Sequence, residues 1–231
     1  MDRRPDLGAV PGGGEMIRPI LFSGDMVRAI LDGRKTETRR PVKPCKDVNF
    51  GCELSPGEIA GEVNQGNDYQ NCPYGRPGDL LWVRETCWVS GAWRPTKNSD
   101  SGRFVPLGPV AYHANQQRPD DKLILFHEWR VTPSIHMPRW ACRLVLEVVS
   151  VRVEWVQEIT EEGAKAEGVL LTNTLPDGME GLFRPRFAGL WDSIYATKGL
   201  SWNANPWVWV VGFKVAAVGN EAAQAVMRAA A

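Results

Sequence analysis

A chain of 231 residues, 43% hydrophobic and 23% charged, is long enough to bury a core of its own, so one domain with insertions is expected. Its 27 Lys and Arg balance 27 Asp and Glu, which excludes a protein that holds long nucleic acid by bulk charge and leaves a short or single-nucleotide ligand open. No apolar run of about 18 residues marks a membrane span. The odd count of five cysteines fits free thiols in a reducing compartment, so the expected location is cytoplasmic.

In chain order, residues 1–15 carry Pro, Gly and charge without periodicity and read as a disordered lead-in, with Met16 a candidate start. Ile20-Leu21-Phe22 reads as a short strand. Ser23 or Asp25 then caps a helix whose Met26, Val27, Ile30 and Leu31 share one face, and Gly33 closes it. Lys35 to Arg40 alternates with β-branched Thr and reads as a strand ended by Pro41. Residues 41–77, rich in Pro, Gly, Asn and Cys, read as an irregular insertion, followed by a strand at Leu80-Leu81-Trp82-Val83. Residues 90–133 read as a second loop insertion, with one short strand at Val110-Ala111-Tyr112.

Residues 141–156 give the longest strand signal, and a change of phase near Ser150 predicts a bulge or bend. Thr160 caps the next helix, with Glu161 and Glu162 in its first turn, Glu167 at its end and Gly168 beyond. Phe183, Phe187, Leu190, Trp191 and Ile194 predict another helix starting about Pro185. Trp207 to Phe213 is the last strand, and residues 217–231 read as a dispensable Ala-rich tail. Core packing accounts for most of the ten Trp, the Trp207/Trp209 pair included. Strands mixed with a few helices make the fold class α+β.

The corner Gly33-Arg34-Lys35-Thr36-Glu37-Thr38-Arg39-Arg40 follows a short amphipathic helix and matches Gly-x-Lys-x-x-Thr-x-Arg. That pattern resembles the signature of the ASCH (activating-signal-cointegrator homology) domain of the PUA-like superfamily. Gly78-Asp79 before a strand, bent strands before a helix ending Ala166-Glu167-Gly168, and a final aromatic strand extend the resemblance over most of residues 18–215. The words Pro77-Gly78-Asp79, Pro133-Ser134-Ile135-His136-Met137-Pro138-Arg139-Trp140 and Asn205-Pro206-Trp207 look like the larger ASCH proteins of bacteriophages and prophages. The resemblance implies a small β-barrel with flanking helices over residues 16–216, in the cytoplasm of a bacterial host.

The superfamily's small 4-acetylcytidine amidohydrolases use a Lys, a Thr and a Glu. The resemblance puts these at Lys35, Thr38 and Glu167, with Glu161 and Glu162 as competitors for the last. It implies an amidohydrolase acting on an acylated nucleoside or modified base, without cofactor or metal, whose partner is a nucleoside or short RNA. A Thr nucleophile needs a base, and a Lys serves as one when burial or nearby cations such as Arg34, Arg39 and Arg40 lower its pKa. Arg40 is a candidate substrate contact or a structural partner of an acid such as Glu85. Arg84 and Glu85 follow Trp82 along a strand, so one of the two should face the cavity. His136, Arg139 and Trp140 complete the candidate binding residues, as a hydrogen-bonding and base-stacking group or as structure. Cys45, Cys52, Cys72 and His113 lack paired zinc-ligand spacing. A non-catalytic binding module for RNA or a modified nucleotide, a ribonuclease and a virion assembly protein are the alternative functions.

Overall fold

A computed structural model describes residues 16–66, 69–95, 102–115, 119, 128–170 and 182–230; the expected lead-in at 1–15 lies outside them. The chain begins with strand β1 (Ile17–Leu21) and helix α1 (Gly24–Leu31). Ser23 accepts from the Met26 N–H as N-cap, and Gly33, at φ 72°, turns the chain out of the helix where a side chain would be strained. The apolar stripe buries Val27 and Ile30 in the largest core cluster. Next come β2 (Glu37–Pro41), the short hairpin β3 (Cys45–Lys46) and β4 (Glu53–Leu54), and α2 (Pro56–Asn64). Within 41–77, where an irregular insertion is expected, the described residues thus include a hairpin and a helix. A capping box between Ser55 and Glu58 starts α2, which buries Ile59 and Val63.

Strands β5 (Leu80–Arg84), β9 (Leu144–Trp155) and β10 (Trp207–Val218) form the centre of a five-stranded sheet of order β1-β5-β9-β10-β2. The first pair, β1 with β5, is parallel; the others are antiparallel. The predicted bend appears as a register shift: Gly212 pairs with Ser150 but Phe213 pairs with Val148, leaving Val149 unpaired. Strand β5 covers the outer edge of β9 only from Val145 to Glu147. Further along, the Asn64 amide of α2 bonds both the N–H and the C=O of Val153 at 2.8 Å, as a neighbouring strand would.

The expected small barrel is not formed: among the described residues the sheets are open, and no ladder joins β1 to β2. Those edge strands are linked through α1, and the Arg40 side chain of β2 donates to the Leu21 carbonyl at 2.6 Å, a side-chain hydrogen bond where a barrel would carry a backbone ladder. The second expected loop insertion is also corrected. Strands β6 (Cys87–Pro95), β7 (Gly102–Tyr112) and β8 (Glu128–Thr132) make a separate antiparallel sheet of order β7-β6-β8. Two 3-10 turns, Ser134–His136 and Arg139–Ala141, follow it.

Helix α3 (Glu161–Ala166) is capped by Thr160 as expected. Helix α4 (Arg184–Tyr195) begins with Pro185 in its first turn and buries Phe187 and Trp191. The Ala-rich tail carries a packed helix. Helix α5 (Asn220–Ala229) places Ala223 and Met227, four residues apart, on one face against Leu80, Trp82 and Val145. No helix among the described residues is long and apolar enough to cross a membrane.

Candidate active site

The corner between α1 and β2 is wedged against the end of α3. Lys35 forms an isolated antiparallel bridge with Glu167, and the Thr36 N–H donates to the Ala166 carbonyl at 2.8 Å. Gly168 permits the approach: its φ is 80°, and a Cβ there would lie 2.8 Å from the Lys35 Cβ and 2.9 Å from the Ala29 Cβ. On the other side, the Phe213 N–H of β10 donates to the Thr36 carbonyl. Three elements thus hold Lys35 in place.

Its side chain is wholly buried. Nζ donates to Glu167 Oε2 at 2.5 Å, to the Glu167 carbonyl at 3.1 Å and to the Glu37 carbonyl at 2.9 Å. The ammonium therefore also caps the C-terminal end of α3, whose last carbonyls lack helical partners. Burial pushes the Lys35 pKa below its ordinary value. The Glu167 charge and hydrogen bond oppose that shift, and Arg40 and Arg39 add to it.

Arg39, with its side chain 1% exposed, is the hub of a second layer. It reaches Glu167 Oε1 at 3.5 Å, Glu37 Oε2 at 2.7 Å and Glu154 Oε1 at 2.9 Å. Arg152 closes the network from the solvent side, at 2.7 Å from Glu37 and 2.9 Å from Glu154. Three cations, Lys35, Arg39 and Arg152, thus face three carboxylates, Glu37, Glu154 and Glu167. Burial alone would raise the Glu37 pKa, but the Arg152 hydrogen bond and the charges of Arg39 and Arg152 together hold it below the ordinary value. Sequence reasoning named Arg39 only as a nearby cation and missed Glu37, Glu154 and Arg152. Their signal is the pair of i, i+2 words Glu37-x-Arg39 and Arg152-x-Glu154, which become neighbours because Arg39 and Arg152 both register with Val210 of β10.

Thr38 is buried, 2% exposed, and lines a cavity of about 20 Å³ together with Arg39, Arg40 and Glu167. That volume suits one water. A cavity of about 340 Å³ adjoins it, the two sharing Met26, Glu167 and Leu190, with Arg28, Arg34, Asp25 and Asp32 on the larger one's polar side. Lys35, Thr38 and Arg40 are thus gathered around Glu167. The competing acids are not: Glu161 accepts from the N–H groups of Phe183 and Arg184 at the start of α4, and Glu162 is exposed.

The remaining candidates are elsewhere. Glu85 is 1% exposed and paired with Arg143 at 2.8 and 2.9 Å, so it is neither the partner of Arg40 nor a cavity group. Arg84 donates to the Ile135 carbonyl, and Trp82 is packed in the cluster under α5. Arg139 reaches the Met227 carbonyl at 3.4 Å. His136 and Trp140 line a different cavity, between the three-stranded sheet and residues 133–140. The sequence word that holds them follows the strands of that sheet, which carries it away from α1 and α3.

No protein-family model matches the sequence, and no curated protein matches it. Among the solved structures similar to this chain are two with low TM-scores. One is a protein of Enterococcus faecalis V583 described under the family model DUF984, 9% identical, with a TM-score of 0.39 over 88% of this chain and 82% of that one. The other is an ASCH domain from Lactobacillus crispatus JV V101, 12% identical, with a TM-score of 0.36 over 87% of this chain and 79% of that one.

Proposed function

We propose that this chain is an amidohydrolase acting on an acylated nucleoside or modified base of the 4-acetylcytidine kind, with Lys35, Thr38 and Glu167 as its catalytic residues. The observation that carries the reading is the buried Lys35 Nζ, 2.5 Å from Glu167 Oε2, with Glu167 and Thr38 on one cavity. Proton transfer across that contact yields a neutral amine and a carboxylic acid, the base and the acid the reaction needs. Thr38 Oγ1 gives its proton to the Lys35 amine and attacks the acyl carbon. As the C–N bond breaks, Glu167 protonates the leaving exocyclic amine, and water then hydrolyses the acyl-threonine to release acetate. The nucleoside is assigned to the 340 Å³ cavity and the acyl group to the small one, so Met26 and Leu190, shared by both, are the side chains that have to shift.

The test is acetate release from 4-acetylcytidine by the purified protein. Thr38→Val and Glu167→Gln should each lower the rate by at least about 100-fold while circular dichroism stays native. A folded wild type without turnover on acylated nucleosides or acetylated RNA refutes the reading; saturable binding without turnover identifies a non-catalytic module instead.

A further inference from the structure

The segment Pro133 to Trp140 is not part of the Lys35 site, yet it is held firmly. Met137 and Ala141 are buried under the three-stranded sheet with Cys87 and Val89. Arg84 donates to the Ile135 carbonyl. From α5, Asn220 and Gln224 donate to the Trp140 carbonyl at 2.8 and 3.3 Å, and Gln224 also reaches the Arg139 carbonyl at 3.0 Å. On this pinned backbone Trp140 stays 43% exposed and His136 is exposed. An exposed indole on a braced turn is preorganised for contact, since little freedom is left to lose on binding.

Opposite the turn lies the face of the sheet, and the groove between them holds about 300 Å³, at the lower end of small-molecule sites. Its floor is the Phe104 ring, which lies so close over Gly91 that a Cβ there would meet it at 2.5 Å. Arg130, exposed on β8, sits 5.6 Å from the centre of that ring. No described residue lining the groove is acidic, and among the described residues no carboxylate forms an ion pair with Arg130. The groove therefore offers two flat aromatic surfaces, one guanidinium fork without a described counter-ion and one imidazole. A fork without an acid suits a phosphate, which it can grip through two N–H groups; an exposed indole suits a heterocycle.

We propose that this groove is a second ligand site that takes a nucleotide, its base against Trp140 and its phosphate on Arg130 and His136, either free or as one unit of a single strand. The site stands independently of the amidohydrolase reading, because none of its residues lines either cavity at Glu167.

The test is calorimetric titration of the full chain with CMP, cytidine, inorganic phosphate and a short cytidine oligonucleotide. CMP should bind about ten-fold or more tightly than cytidine or phosphate alone. Trp140→Ala should weaken CMP by about five-fold to 100-fold, the range for loss of one stacked base. Arg130→Gln should erase the advantage of CMP over cytidine, and Thr38→Val should leave CMP binding unchanged. A tighter oligonucleotide identifies a strand as the source, and equal affinity identifies the free nucleotide. Both substituted groove side chains are exposed, so unchanged melting separates lost binding from lost fold. Absence of CMP binding at millimolar concentration, wild-type affinity in Trp140→Ala or Arg130→Gln, or lost affinity in Thr38→Val would overturn the proposal.

Discussion

Glu167→Gln removes one charge from a buried pair while keeping the shape of the side chain. Lys35 then has two carbonyl acceptors, from Glu37 and Glu167, and an amide in place of its counter-ion. Breaking a buried pair on one side generally costs about 3–5 kcal/mol, because a charge is left uncompensated. Here a ceiling follows from chemistry. Lys35 can always escape by losing its proton, and from the ordinary lysine value of 10.5 that escape at pH 7 costs about 5 kcal/mol, at about 1.4 kcal/mol per unit.

The sign of the pH dependence follows from proton counting. Folded Glu167→Gln binds fewer protons at Lys35 than folded wild type, so its stability rises more steeply with pH and its deficit shrinks between pH 7 and pH 9. Urea unfolding at both pH values measures this, and the variant should remain folded because domains typically hold about 5–15 kcal/mol. The double variant Lys35→Met with Glu167→Leu should recover part of the loss, since apolar replacement of a buried pair is often neutral. A loss below about 1 kcal/mol at pH 7, or a deficit that grows toward pH 9, would refute the reasoning.

Three further outcomes follow from particular contacts. Met227→Ala should cost about 2–5 kcal/mol and lower the melting temperature, whereas a melting curve like wild type would mean that α5 is dispensable after all. Because Glu37 is held below its ordinary value of 4.5, its contribution is full above that pH and is lost as pH falls through the lower folded value. Glu37→Gln should therefore flatten the acid limb of stability measured from pH 5 to pH 3. Burial pushes the thiols of Cys72, Cys87 and Cys142 up to about 11, so a thiol reagent at pH 8 should label exposed Cys52 rapidly and these three only on unfolding; fast labelling of more than two thiols in the native state would contradict their burial.

Local structure was the part most open to reading from sequence. Ser23, Gly33, Thr160 and Pro185 act through their own backbone or the next turn, so helix ends fell where the cap residues put them. The bend near Ser150 was visible because alternation changes phase when one residue leaves the ladder. The Lys35–Glu167 contact was reached by resemblance to a motif rather than by periodicity. Misread elements share one cause. Strands β6, β7 and β8 contain Gly, Pro and Arg that break an apolar pattern, and they are strands because they pair with one another. Ala-rich α5 has little hydrophobicity of its own, but its small residues let Met227 reach the sheet.

Composition and short-range pattern are enough for an α+β chain with neutral overall charge, the caps of its helices, the bend of its long strand and the grouping of Lys35 and Thr38 at one corner. Tertiary structure decided that the five-stranded sheet stays open, that Arg39 rather than Arg40 reaches the Glu167 carboxylate, and that His136 and Trp140 face a groove of their own. The two differ in range. Capping and alternation act over a few residues, whereas the partner of a charge is chosen by strand register, and Glu154 and Glu167 meet Arg39 from 115 and 128 residues away.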